Sequence, residues 1–283
     1  MIAIVGGLGA ATVFAAATLS ASRGARMIGA QPFLAGVMLV GLVVTLPAVA
    51  AEGVPHIGGA DAVWLVLSGA GNVAGLLCAY AALRLGKVGI VAPIVSTEGA
   101  IAAVIAVLAG EGLSGGAGAT LGLIACGILL SGVSRETEQD LTTDPRGLRA
   151  LGLAVAAAFA FGASLYATAR VGASLSIAWA VLPARVIGVL AVTLPLVVSG
   201  TLTITRRALP FVVLSGLCEV AGFALFTVGS RHGIAVSAVL ASQFAAIAAV
   251  AAYFLFGERL ARIQIAGVTA IVVGVGVLSV LQA

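Results

Sequence analysis

Residues 209–229 read LPFVVLSGLCEVAGFALFTVG, an apolar run with one charged side chain, Glu219, at its middle. About 20 apolar residues in helical form cross the roughly 30 Å hydrocarbon core of a bilayer. An ionisable group at that depth is expensive, so its presence calls for a partner or a function. Similar runs extend outward along the chain at 2–21, 32–51, 62–83, 88–109, 115–134, 150–169, 175–199, 234–256 and 264–282. They are continuous and rich in Ala, Gly, Leu and Val, whereas barrel strands would alternate polar and apolar residues. The expected fold is therefore an all-α integral membrane protein with ten transmembrane helices.

Composition points the same way. Of the 283 residues, 61% are hydrophobic and only 8% charged, and the mean hydropathy is +1.24. A soluble domain carries about 25% charged residues. This balance excludes a soluble enzyme, a disordered chain and a nucleic-acid binder. Cys78, Cys126 and Cys218 each lie inside an apolar run without metal-ligand spacing, so they read as packing residues. The start, MIAIVGGLGAATVF, has no basic leader and no convincing cleavage site, and is expected to remain as a membrane helix.

The runs repeat. Leu67-Ser68-Gly69 recurs as Leu214-Ser215-Gly216, and Asn72-Val73-Ala74-Gly75 recurs as Glu219-Val220-Ala221-Gly222, both at an offset of 147. Gly110-Glu111 with Leu113 returns at that offset as Gly257-Glu258 with Leu260, and Val44-Thr45-Leu46-Pro47 returns at 148 as Val192-Thr193-Leu194-Pro195. Shared offsets across different runs imply two related halves, 1–134 and 150–283, joined by a polar linker at 135–149 that holds four of the ten acidic residues. Five spans per half would send the second half into the membrane upside down. Such inverted repeats are typical of secondary transporters, with the substrate site near mid-membrane between the halves.

With ten spans in two halves, each closing its fourth span on Gly-Glu-x-Leu (Gly110-Glu111-Gly112-Leu113 and Gly257-Glu258-Arg259-Leu260), the chain resembles the drug/metabolite transporter superfamily, and within it the EamA-type permeases. The resemblance spans nearly the whole chain and implies metabolite efflux. The first span lacks the Trp-Gly pair common in that family, so substrate features tied to that segment do not carry over.

Eleven of the fourteen basic residues fall in odd-numbered connections: Arg23, Arg26, Arg84, Lys87, Arg135, Arg146, Arg149, Arg206, Arg207, Arg259 and Arg262. Only Arg170 and Arg231 fall in even-numbered ones. Excess positive charge marks the cytoplasmic side, which puts both termini outside. Better-known members of the family place both termini in the cytoplasm.

Three charged residues lie within spans near their centres, Glu98, Arg185 and Glu219, and the amides Asn72 and Gln243 sit at similar depth. Ser215, Glu219 and Gly222 share one helix face by their spacing, and Ser68, Asn72 and Gly75 repeat it. These faces are expected to line a shared cavity. Glu219 is either a proton-linked or ammonium-binding carboxylate or a structural partner of Arg185. Glu98, in Val95-Ser96-Thr97-Glu98-Gly99, feels desolvation against a nearby arginine, so its protonation can respond to what occupies the cavity; otherwise it is a neutral carboxyl bonded to a hydroxyl. Arg185 aligns with apolar Val37; it can hold a substrate carboxylate or phosphate, or neutralise a glutamate. Trp179, close to Arg185 in sequence, is a candidate wall residue, whereas Tyr80, Tyr166 and Tyr253 read as interface anchors. Glu111 and Glu258, at helix ends, read as caps.

No G-x-x-x-x-G-K-[ST] loop, no catalytic Ser/His/Asp or Cys/His group and no metal-ligand cluster accompanies His56 or His232. Neither a cofactor nor an enzymatic activity is implied. The pattern predicts a secondary transporter in the cell membrane whose partners are the bilayer, a small-molecule substrate and, for coupling through Glu219 or Glu98, protons. Export or exchange of a small polar metabolite such as an amino acid by alternating access fits it. The alternatives are efflux of lipophilic cations, against which a cavity arginine argues, and a non-transporting membrane scaffold.

Overall fold

A computed structural model describes residues 1–86, 88–131, 145–248, 251 and 262–281. Lys87, most of the central linker, Tyr253 and the Gly257-Glu258-Arg259-Leu260 signature lie outside the described residues. The first half contributes α1 (Ile2–Ile28), α2 (Ala30–Glu52), α3 (Gly59–Leu85), α4 (Val88–Val95), α5 (Glu98–Leu108) and α6 (Gly115–Ser131). The second contributes α7 (Pro145–Ser174), α8 (Ile177–Gly188), a π-helical turn (Val189–Thr193), α9 (Leu194–Val198), α10 (Leu209–Ser230), α11 (Ile234–Ala241) and α12 (Arg262–Leu281). Among the described residues, seven stretches are helical, long and apolar enough to cross a membrane: Ile2–Ile28, Ala30–Glu52, Gly59–Leu85, Val91–Leu108, Arg146–Ser174, Ile177–Val198 and Leu209–Ser230. Gly115–Ile128, Ile234–Ala248 and Ile265–Val275 are shorter apolar helical stretches. The described chain is that of a multi-pass membrane protein.

Two expected spans are interrupted by the same local chemistry. Between α4 and α5, Ser96 Oγ donates to the Pro93 carbonyl at 2.8 Å and Thr97 Oγ1 to the Ile94 carbonyl at 2.8 Å. After α11, Ser242 Oγ donates to the Val239 carbonyl at 2.9 Å, and the chain turns helical again over 244–248. A hydroxyl bonded three residues back tightens the turn and competes with the regular helical ladder. Thr97 and Gln243 then bond their own N–H groups three residues back rather than four, to Ile94 at 3.2 Å and Leu240 at 3.2 Å. Polar side chains thus convert long apolar helices into broken ones.

The helices pack by close approach, which suits a solvent as apolar as the helices themselves. The most extensive contacts run between α3 and α7, between α1 and α10, and between α6 and α12. Each has an internal counterpart. Ser164 Oγ donates to the Ser68 carbonyl at 2.7 Å, and Ser215 Oγ donates to the Ala17 carbonyl at 3.1 Å. Gly75 lies against the ring of Phe161, and Gly222 against the ring of Phe14, so that a Cβ at either glycine would strike an aromatic side chain. Positions 17 and 164, 68 and 215, 14 and 161, and 75 and 222 are all 147 apart.

Arg185 and Met38 exchange in the same way. Gly41 faces Arg185 and Gly188 faces Met38, which makes Met38 the counterpart of the arginine. The alignment to Val37 is off by one position, because it takes the offset of 148 from the Val-Thr-Leu-Pro tetrapeptide.

Helix ends are tied down across the bundle. Arg26 donates to the carbonyls of Leu83 and Gly86 at 3.2 and 2.8 Å, and Arg231 to those of Gly172 and Leu175 at 2.7 and 2.9 Å. These cations satisfy the free carbonyls at the ends of α3 and α7. Glu111 accepts the Ala235 N–H through both carboxylate oxygens, at 3.3 and 3.2 Å, at the start of α11. The cap expected of Glu111 is therefore on a neighbouring element, the favourable end of a helix for an anion.

Candidate functional site

The face of α3 that begins at Asn72 continues through Leu76, Ala79, Tyr80 and Leu83, in steps of three and four residues. From Leu76 onward this face forms one wall of a cavity of about 610 Å³, part of which opens to bulk. Glu219 and Phe223 of α10 stand on another wall, with Phe14, Ala17 and Thr18 of α1 beside them. Phe161 and Leu165 of α7 close a third side. Both broken helices reach in as well: Val95 and Glu98 flank the first break, and Phe244 follows the second. The two breaks touch, since a Cβ on Gly99 would collide with Ala238 and Ser242.

The structure brings Glu98 and Glu219 to one cavity, where they are 5% and 6% exposed. Arg185 is placed differently. It is 0% exposed, is not part of the wall, and sits behind Glu219 with Nη2 at 3.9 Å from Oε2. Its Nη1 lies 3.8 Å from the Met38 sulfur, and its guanidinium stands 5.8 Å from the centre of the Phe223 ring. Nε and Nη2 make no hydrogen bond among the described residues. The pair is therefore a loose electrostatic contact rather than a bidentate fork. A charge desolvated to this degree is tolerated because a counter-charge and a ring face lie beside it.

The expectation that Arg185 stands in the cavity is corrected: depth along the helix is right, but the side chain leaves on the face turned toward α2 and α10. Trp179 is corrected too. Its ring N–H donates to the Gly53 carbonyl at 3.1 Å, and its side chain packs with Val171, Leu175 and Ala180, at the end of α8 and away from the cavity. It lies six positions before Arg185, which turns the two side chains roughly 120° apart on a helix. Asn72 and Gln243 are buried at mid-span but do not line the cavity, and Asn72 Oδ1 and Nδ2 and Gln243 Nε2 have no hydrogen-bond partner among the described residues.

Tyr80 is a cavity-lining residue that the sequence does not single out. Instead of anchoring at the membrane surface it is 3% exposed, stacks edge-on against Phe33 at 5.2 Å and lines the cavity. Its position two helical steps of four beyond Asn72 was the available signal. Tyr166 is also buried, edge-on to Trp64 at 5.7 Å.

A search among curated proteins finds no match. A solved crystal structure of a protein superposes with a TM-score of 0.75 at 17% identity, covering 99% of this chain and 98% of that chain, which shows the fold alone. The model of the EamA-like transporter family matches residues 1–133. Over residues 1–133 the chain is therefore similar to the EamA-like transporter family, a family of membrane transporters, as its sequence resemblance implied.

Proposed function

We propose that the protein is a secondary active transporter that moves a small molecule across the cell membrane by alternating access, with the cavity between Glu98 and Glu219 as its substrate site. In this reading ten spans form two inverted five-helix halves, 1–134 and 150–283, joined by the linker at 135–149. The paired contacts 147 residues apart support it, because each half grips the other at corresponding positions. The observation that carries the reading is the meeting of two broken helices at a cavity holding two buried carboxylates. Broken helices in transporters free polar backbone for a substrate or ion and give the halves a place to flex.

One face of the bundle is closed across the halves. Ser176 Oγ donates to Glu52, and Ser174 Oγ donates to Asp61 Oδ1 at 2.8 Å. The Trp179 ring N–H to Gly53 bond adds a third tie between the α2–α3 turn and the start of α8. Such polar ties at the water boundary can break and re-form as the halves rock. Exchange of protons at Glu98 or Glu219 is the coupling that this site allows.

Export or exchange of a metabolite is the direction that the family suggests. Uptake and counterflow in proteoliposomes, with a panel of small amines and amino acids, test the reading. Flux in the wild type, lost in folded Glu219→Gln and Arg185→Ala variants, supports it. A folded wild type without flux of any compound would leave a membrane scaffold as the better description.

A further inference from the structure

Resting on the transport reading above, we infer that the cavity accepts a monovalent organic amine with an apolar body and no carboxylate, its ammonium bound at Glu98. Among the described residues the wall carries two carboxylates and no Lys, Arg or His. Glu219 already has Arg185 at 3.9 Å, whereas no described residue hydrogen-bonds or ion-pairs with Glu98. One uncompensated acid in an apolar enclosure is complemented by one positive charge.

A substrate carboxylate has nothing to meet there. Arg185, at this depth, is fully covered, and a carboxylate in the cavity would face Glu98 and Glu219 instead. The objection to a cationic cargo, an arginine in the cavity, falls for the same reason. Four phenylalanine rings on the wall, from Phe14, Phe161, Phe223 and Phe244, offer apolar surface and faces that attract a cation.

A second, independent group on the wall awaits a partner. The Tyr80 hydroxyl is buried and makes no hydrogen bond among the described residues. A phenol oxygen can accept an ammonium N–H.

The test compares three probes that share a phenyl body and differ in charge: phenethylamine, phenylalanine and phenylacetate. Binding to the purified full chain is measured by isothermal titration. Phenethylamine should bind about tenfold or more tighter than phenylalanine, and phenylacetate should not compete, as like charges across a desolvated site predict. Glu98→Gln should weaken phenethylamine binding about tenfold or more by removing the counter-charge. Phe244→Leu, a milder change if Glu98→Gln does not fold, should weaken it about threefold.

Equal or tighter binding of phenylalanine or phenylacetate, unaltered affinity in a folded Glu98→Gln protein, or no binding of phenethylamine would each overturn the inference. Counterflow of the same probes separates the two readings. Phenethylamine bound but never carried would sink transport alone; phenylalanine carried while phenethylamine is neither bound nor carried would sink the cargo class alone.

Discussion

Arg185 and Glu219 face each other at 3.9 Å in the middle of the bundle, the arginine wholly covered and the glutamate on the cavity wall. Removing one partner leaves the other charge buried alone, which typically costs about 3–5 kcal/mol. Glu219→Gln is therefore expected to lower stability by that order in chemical unfolding from mixed micelles. The double variant Arg185→Met, Glu219→Gln should recover most of the loss, since methionine is what stands at the counterpart position, Met38. A double variant as unstable as the single would show that the pair is not the origin of the cost.

The exchanged glycine contacts make a matched prediction. Gly75→Val pushes against Phe161 and Gly222→Val against Phe14. Overpacking of this kind costs about 1–3 kcal/mol, and the two variants should lose similar amounts. Phe161→Ala should rescue the first and Phe14→Ala the second, but not the reverse. Rescue without that pairing would contradict reciprocal packing of the halves.

Much of this was legible in the sequence, and the gaps have one cause. Hydropathy fixes where helices run, because the cost of a polar group in hydrocarbon is large and depends mainly on depth. It led to Glu98 and Glu219. Depth says nothing about the face from which a side chain leaves, and so it does not place Arg185 or Trp179. Tyr80 differs in the opposite sense: it lies toward the end of its span, where an aromatic ring reads as an interface anchor, yet it continues the Asn72 face inward. The helix breaks were visible only as the polar triplet Ser96-Thr97-Glu98; their counterpart, Ser242-Gln243, needed the hydroxyl-to-carbonyl bonds to be seen.

The ties on the closed face predict a lock. With Asp61 and Ser174 both replaced by cysteine in a background lacking Cys78, Cys126 and Cys218, a short bis-methanethiosulfonate bridge should stop counterflow. Reduction should restore it. Undiminished flux through the bridged protein would mean that this face does not open during transport.

Orientation follows from Val54, which is 84% exposed in the turn between α2 and α3. The charge bias puts this turn outside, away from the arginine-rich connections. Val54→Cys, in the same cysteine-free background, should react with a membrane-impermeant maleimide added to intact cells. Labelling only after permeabilisation would give the opposite orientation, with both termini in the cytoplasm.

Thr18 lines the cavity from α1 and is only half-buried, so a cysteine there reports on access to the cavity without knowledge of the cargo. Thr18→Cys, in the cysteine-free background and reconstituted in one orientation, is exposed to a small impermeant thiol reagent from each face in turn. Reaction from both faces, with the Asp61–Ser174 bridge abolishing reaction from its own face alone, is the expected result. Reaction from neither face, or from one face whether or not the bridge is present, would contradict alternating access through this cavity.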